Sequence, residues 1–200
     1  MNFFTADFCD EHPELVDVLS HDFKNYGGAQ KCRGEVITIK LDKNNSDLIT
    51  LLRDEEGVGK VVVVDVDAEF FAVVGENLMK FAHQNNYSGI IVNGYIRDTF
   101  QIKDIPVALY ALGTCPKKYI PVTKGQRDIP LFFGGVNFKN GNYIEAANNV
   151  HKIKHKISIL GLKKGLLLAS EFEKSLKNND IKLHQKFIKV LDKIHVYLGL

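Results

Sequence analysis

The sequence predicts an α/β body with a mixed sheet, followed by an amphipathic helical extension. Three observations carry that prediction. Lys60-Val-Val-Val-Val-Asp65 is a continuous β-branched run, the pattern of a strand buried on both faces. Leu78, Met79, Phe81 and Ala82 then recur at helical spacing, and Gly89-Ile-Ile-Val-Asn93 is a second buried strand. Together they make a βαβ unit of roughly 30 residues. Beyond residue 150, apolar positions recur at helical spacing among lysines.

The remaining elements follow in order. Thr5 or Asp7 can cap a short opening helix around Phe8-Cys-Asp-Glu11, stopped by Pro13. Tyr26-Gly-Gly-Ala-Gln30 is a glycine-marked turn into Gly34-Glu-Val-Ile-Thr-Ile-Lys40, whose alternation reads as a half-exposed strand. Asn45–Arg53 reads as a helix with a capping residue at its start and an apolar stripe. Val107-Ala-Leu-Tyr-Ala-Leu-Gly113 is another strand. Ile129–Phe133, Gly134–Phe138 and Asn142–Ala146 read as short strands separated by glycine and Asn-Gly turns. In the extension, Asn178-Asn-Asp180 breaks one helix, and Ile181, His184, Phe187, Ile188, Leu191, Ile194 and Leu198 form the stripe of the next. That stripe is expected to pack on the body or on a neighbouring subunit.

Composition agrees with a packed protein: of 200 residues, 45% are hydrophobic and 25% charged. Charge separates along the chain. Residues 1–150 hold 15 Lys and Arg against 20 Asp and Glu, net −5, whereas residues 151–200 hold 11 Lys against 4 acids, net +7. The reading is a domain over 1–150 and a basic helical extension over 151–200. The lysines of the extension are most simply a solvated face, so direct nucleic-acid binding is disfavoured. Cys9, Cys32 and Cys115 are scattered and odd in number, which suits free thiols in a reducing compartment. The start lacks a basic, apolar leader, and no run approaches the ~18 apolar residues of a membrane span. A cytoplasmic protein without a membrane partner is expected. His151 and His155 share a helical spacing but have no acid beside them, so a basic surface outweighs a metal site.

The candidate site begins at Gly75-Glu-Asn-Leu78, where the crossover helix should start. A helix start offers N–H groups without acceptors and the positive end of a dipole, which suits a carboxylate or phosphate. The bland alternative is an acid that merely complements the dipole. Arg97-Asp98 lies just past the next buried strand, and ligands of open α/β sheets gather outside strand carboxyl ends. Arg can hold a carboxylate at two points, and Asp offers a hard oxygen to Mg²⁺. On position alone, a surface ion pair of about 0–1 kcal/mol is the simpler reading.

Glu76, twenty residues and then Arg97-Asp98 resembles the motif of class II 4-hydroxy-4-methyl-2-oxoglutarate aldolases, grouped with the regulator of ribonuclease activity A, RraA. The resemblance extends in order through Asp7-Phe-Cys-Asp10, Asn25-Tyr-Gly-Gly28, Gly34–Lys40, Val61–Asp65, Asn93–Arg97 and Phe133–Phe138. It implies a compact αβ-sandwich, a homotrimer with sites near subunit interfaces, and a Mg²⁺- or Mn²⁺-dependent enzyme acting on 2-oxo acids. The backbone amides of Gly75, Glu76, Asn77 and Leu78 would bind the substrate carboxylate. Arg97 would hold the 2-oxo acid, Asp98 would ligate the metal, and Glu76 would orient its water. Retro-aldol cleavage of a 4-hydroxy-2-oxo acid and decarboxylation of oxaloacetate share one pyruvate enolate, so one site serves both. The alternative the resemblance implies is a non-catalytic protein that binds and inhibits a ribonuclease. That regulator type lacks the carboxylate after the arginine, whereas Asp98 is present.

Several positions depart from the pattern. Gln101 replaces an acid, Val66-Asp67 replaces paired glycines and could crowd the crevice or add a carboxylate to it, and Ala146-Ala147 replaces an Ala-Asp pair. Lys117, Lys118, Lys124 and Arg127 make the segment after residue 114 basic. A solvated loop is its simplest account, and attraction of a dianionic oxo acid the other.

Overall fold

A computed structural model describes residues 5–11, 13–14, 16–118, 124–140, 150–154, 157–158, 162–178 and 183–198. The chain divides into two compact units, Met1–Gly141 and Asn142–Leu200.

The first unit is built on a seven-stranded mixed sheet. Its elements are α1 (Thr5–Glu11), β1 (Lys24–Asn25), β2 (Glu35–Lys40), α2 (Ser46–Asp54), β3 (Lys60–Asp65), β4 (Ala72–Val74), α3 (Glu76–Gln84), β5 (Gly89–Ile96), α4 (Thr99–Ile102), β6 (Ala108–Thr114) and β7 (Gln126–Arg127). A separate hairpin pairs β8 (Leu131–Phe133) with β9 (Val136–Phe138). Strand order is β1-β6-β5-β3-β2-β7, with β4 paired to β5. The four central strands are parallel neighbours, and β1 and β7 close the edges antiparallel.

The valine run explains the layering. Successive strand side chains point to opposite faces. Val62 and Val64 pack with Leu48, Leu51 and Leu52 of α2 and Leu78, Met79 and Ala82 of α3. Val63 faces the other way, onto Leu131 and Phe133, with Phe23 and Phe138 against them. Helices therefore cover one face and the β8–β9 hairpin the other, so β3 is buried almost throughout.

Three elements have no clear signal in the sequence. β1 and β7 are two-residue edge strands whose hydrogen bonds, not their composition, define them. β4 matters more, because it stands between β3 and α3: the crossover helix does not follow the valine strand directly. Asn45 also differs from its predicted capping role. Its side chain makes no cap bond to α2; Nδ2 instead donates to the Val73 carbonyl of β4 at 2.8 Å. The Asn142–Ala146 strand lies outside the described residues.

In the second unit, residues 150–154 are helical, and α5 (Lys163–Lys177) and α6 (His184–Leu198) follow. The apolar stripe finds partners within the extension itself. Phe187 of α6 packs its ring, tilted, 5.1 Å from that of Phe172 of α5, in a cluster with Val150, Ile157, Ala169 and Leu176. Ile188 is exposed and Ile181 lies outside the described residues. Glu173 is buried at 6% exposure and accepts from Lys154 at 2.6 Å and Lys177 at 2.8 Å, with His151 Nδ1 at 3.2 Å. These bonds from Lys154 and Lys177 outweigh the cost of burial and, with His151, hold the Glu173 carboxyl down at about 2. His151 is thus accounted for by a carboxylate, and His155 lies outside the described residues. No helix among the described residues is long and apolar enough to cross a membrane.

Candidate active site

β5 is longer than its neighbour β3, and that difference builds the site. β3 accompanies β5 only to the Asp65–Asn93 pair. Beyond it, β4 takes over as the parallel partner, with Val74 in register with Ile96 and the Arg97 N–H donating to the Val74 carbonyl at 3.0 Å. Two parallel strands thus end side by side, one running into Gly75 and the other into Arg97-Asp98. The two motifs do share a crevice, but β4 rather than β3 delivers Gly75 to it.

At that junction α3 begins with Gly75 as its N-cap, and Met79 N–H closes the first turn on the Gly75 carbonyl at 3.2 Å. The N–H groups from Gly75 to Leu78 are the four a helix start leaves without intrahelical acceptors. One is already used: Glu76 N–H donates to Asp98 Oδ2 at 3.1 Å. The other three remain at the helix start, and Gly75, Asn77 and Leu78 all line the cleft.

Gly75 is required by proximity, not by backbone angle, since its φ of −140° is ordinary extended backbone. A Cβ there would lie 2.6 Å from Asp98 Oδ2 and 3.2 Å from Arg97 Nε. The anion brought close by this glycine is the protein's own carboxylate. Asp98 is itself in the left-handed region, at φ 59°, where it caps α4. Among non-glycine residues, Asp tolerates that conformation comparatively well.

Arg97 Nε and Asp98 Oδ2 are 3.5 Å apart, so the adjacent charges do pair, with both side chains about a third exposed. The pairing leaves capacity on each. Among the described residues, Asp98 Oδ1 and both Arg97 terminal nitrogens have no hydrogen-bond partner. Glu76 points its carboxylate to Lys80 Nζ at 2.7 Å, a helical i,i+4 pair that neutralises it at the rim.

The cleft holds about 360 Å³. Its lining combines the polar or charged Glu76, Arg97, Asp98, Asn45 and exposed Lys118 with Gly75, Ile49, Leu78 and Phe81. All six predicted site residues, Gly75, Glu76, Asn77, Leu78, Arg97 and Asp98, line it together. Of the basic segment, Lys118 reaches the cleft, whereas Arg127 pairs with Glu55 and Lys124 lines a second cleft with Lys40 and Asp67. Val66 and Asp67 do not crowd the crevice. Val66 is buried against Gly94, and Asp67 pairs with Lys40 at 2.5 Å. Sequence reasoning assigned Phe81 to packing and Asn45 to capping; only the approach of α2 to α3 shows that both line the cleft.

No group of three or more His, Cys, Asp or Glu side chains gathers as a metal cage among the described residues. The donor set suits a hard divalent ion shared with substrate. Mg²⁺ commonly takes one or two protein carboxylates and completes its shell with water and substrate oxygens. Asp98 Oδ1 is such a donor.

Residues 5–149 match the family described as RraA-like, Aldolase/RraA. A protein of Azotobacter vinelandii provisionally named 4-hydroxy-4-methyl-2-oxoglutarate aldolase is 39% identical over 150 residues, covering 74% of this chain and 92% of that one. A Pseudomonas aeruginosa protein with the same provisional name is 38% identical over the same shares. Among solved structures, the RNA-processing inhibitor RraA of a Thermus species superposes with TM-score 0.66 at 34% identity, over 70% of this chain and 85% of that one. A structure described as an S-adenosylmethionine:2-dimethylmenaquinone methyltransferase from Geobacillus kaustophilus has TM-score 0.66 and 34% identity over 70% and 86%. These descriptions disagree on activity, as one fold hosts several functions; the match over residues 5–149 shows that the chain belongs to the RraA-like family.

Proposed function

We propose that this protein is a divalent-metal-dependent lyase that cleaves 4-hydroxy-2-oxo acids of the 4-hydroxy-4-methyl-2-oxoglutarate type and decarboxylates oxaloacetate. The observation that carries the reading is the convergence at Gly75. A helix start, a guanidinium and a carboxylate that keep unpaired nitrogens and an unpaired oxygen among the described residues meet in one cleft, though Glu76 and Asp98 are 22 positions apart. The aldolase names of the relatives support the same chemistry.

In this reading the substrate carboxylate sits on the amides of Asn77 and Leu78, and Arg97 binds the 2-oxo oxygen. A Mg²⁺ or Mn²⁺ ion held by Asp98 would add Lewis-acid stabilisation of negative charge on that oxygen. As the C3–C4 bond breaks, its electrons become the enolate of pyruvate, and Arg97 faces the charge that develops. Glu76 holds the water that accepts the C4 hydroxyl proton, and C4 leaves as a carbonyl. Protonation of C3 completes the second pyruvate. With oxaloacetate, the same bond releases CO₂ and the same enolate. Self-association as a homotrimer belongs to this proposal.

A second reading, a ribonuclease-binding inhibitor, draws on the similarity to the Thermus RNA-processing inhibitor. Asp98 favours the lyase, because an inhibitor has no use for a metal-competent carboxylate beside an anion-binding helix start. Pyruvate release from both acids, with Mg²⁺ or Mn²⁺ and then with EDTA, separates the two. The lyase predicts metal-dependent release that EDTA abolishes; release no faster than the uncatalysed rate rejects it.

A further inference from the structure

The C-terminal extension lies beyond the residues that match the family, and it carries a groove of its own. The groove holds about 670 Å³ between the start of α5 and the second half of α6. Leu162, Val190 and Ile194 line it half-buried, together with the buried Gly165. A Cβ on Gly165 would lie 3.3 Å from Ile157 Cγ2 and 3.4 Å from Val190 Cγ1, so the glycine lets α5 start close against α6. Lys163, Lys164 and Lys193 complete the lining and are exposed; no acid joins them among the described residues.

Two features of these lysines call for negative charge from outside. Lys154 and Lys177 neutralise Glu173, whereas Lys163, Lys164 and Lys193 have no ion-pair partner among the described residues. Lys163 and Lys164 also stand in the first turn of α5, which holds no acid and whose N-cap, Leu162, makes no side-chain bond. Positive charge at a helix start opposes the helix dipole, and acids there are favoured. A sequence that breaks this local rule twice beside one apolar groove marks a place where a ligand supplies the anions.

We propose that the groove docks an acidic amphipathic helix of a partner protein. Apolar side chains at i, i+3 or i+4 and i+7 enter it, and flanking Asp or Glu side chains meet Lys163, Lys164 and Lys193. Covering the apolar lining drives the docking, and the charges select the partner. The pattern of exposure favours this occupant over others. A flat anionic lipid surface meets the exposed ammonium groups before it reaches a half-buried lining, whereas a ridge of side chains on a helix enters between them. The single carboxylate of a fatty acid answers one lysine and leaves two. The extension of a second copy, with 11 Lys against 4 acids over residues 151–200, would set lysine against lysine.

The test uses the full chain and a fluorescein-labelled peptide of about 18 residues, long enough to hold a helix. Leucines at i, i+3, i+4 and i+7 form one face, and glutamates and alanines fill the rest. One control peptide carries lysine for every glutamate, and another has the same residues shuffled so that no apolar face forms. Fluorescence anisotropy should show the acidic helix bound at least about 10-fold more tightly than either control. The triple variant Lys163→Glu, Lys164→Glu, Lys193→Glu should weaken it by at least about 10-fold. The three positions are exposed, and circular dichroism checks that the fold is kept. Ile194→Ala should weaken binding severalfold at unchanged charge. No binding of the acidic helix, equal binding of the shuffled peptide, or unchanged binding by the triple variant overturns the proposal. Native chain that ignores the peptide but binds phosphatidylglycerol vesicles through these lysines assigns the groove to a membrane and overturns it too. So does a sedimentation mass that falls in the triple variant, which assigns the groove to a second copy.

Discussion

Gly75 shows how a single missing methyl group shapes the candidate site. The Asp98 carboxylate occupies the space a Cβ would need, and the Glu76 N–H bond depends on that approach. Gly75→Ala should therefore push Asp98 and Arg97 aside while α3, whose N-cap has ordinary extended angles, still forms. Misplacement of catalytic groups by about 1 Å can cost on the order of 100-fold. The expected outcome is a loss of that size in kcat/KM with a melting temperature lowered by only a few degrees. Ala68 is the opposite case: it sits at φ 56° with neighbouring Asp67 at φ 55°, in backbone that suits glycine. Asp67 at least retains its ion pair to Lys40. Ala68→Gly should relieve up to about 1 kcal/mol of left-handed strain, raising the midpoint of urea unfolding without changing kcat/KM. The family resemblance implies paired glycines at Val66-Asp67, whereas the left-handed backbone lies one position later, at Asp67 and Ala68.

Among the elements, legibility followed hydrophobic patterning. The buried strands β3 and β5 and the helices α2 and α3 were readable because long apolar runs and helical stripes are local signals. β4 was not, because Ala72-Val-Val74 is too short to separate from the turn before it. Its identity comes from pairing with the overhang of β5. The charge pair at 97–98 was legible as a motif, whereas the presence of Ile49 and Phe81 in the cleft depends on how two helices meet and had no linear signature. The C-terminal unit carries its own electrostatic prediction. Glu173 is held at about 2 by its bonds to Lys154 and Lys177, below the ordinary 4.5. A carboxyl depressed on folding contributes stability that is fully present above about pH 4.5 and is lost as pH falls toward about 2. Hydrogen exchange at α5 and α6 should accelerate through that window, and Glu173→Gln should flatten the response while lowering stability at neutral pH.

At the scale of the whole molecule, the sheet supplies rigidity and the strand ends supply chemistry. The strands β3 and β5 each lie between parallel neighbours, and β3 is packed on both faces, by helices on one and by the hairpin on the other. That framework carries Gly75 and Arg97-Asp98 to adjacent strand ends, so their geometry rests on backbone pairing more than on flexible side chains. Family membership follows from the match over residues 5–149; the activity proposed for it rests on the groups that meet in the Gly75 cleft. The most direct test is kcat/KM for pyruvate release from 4-hydroxy-4-methyl-2-oxoglutarate with Mg²⁺, in the native protein, Asp98→Ala and Arg97→Ala. The account predicts metal-dependent turnover in the native protein and a loss of at least about 100-fold in each variant. Native-like turnover in either variant would contradict it.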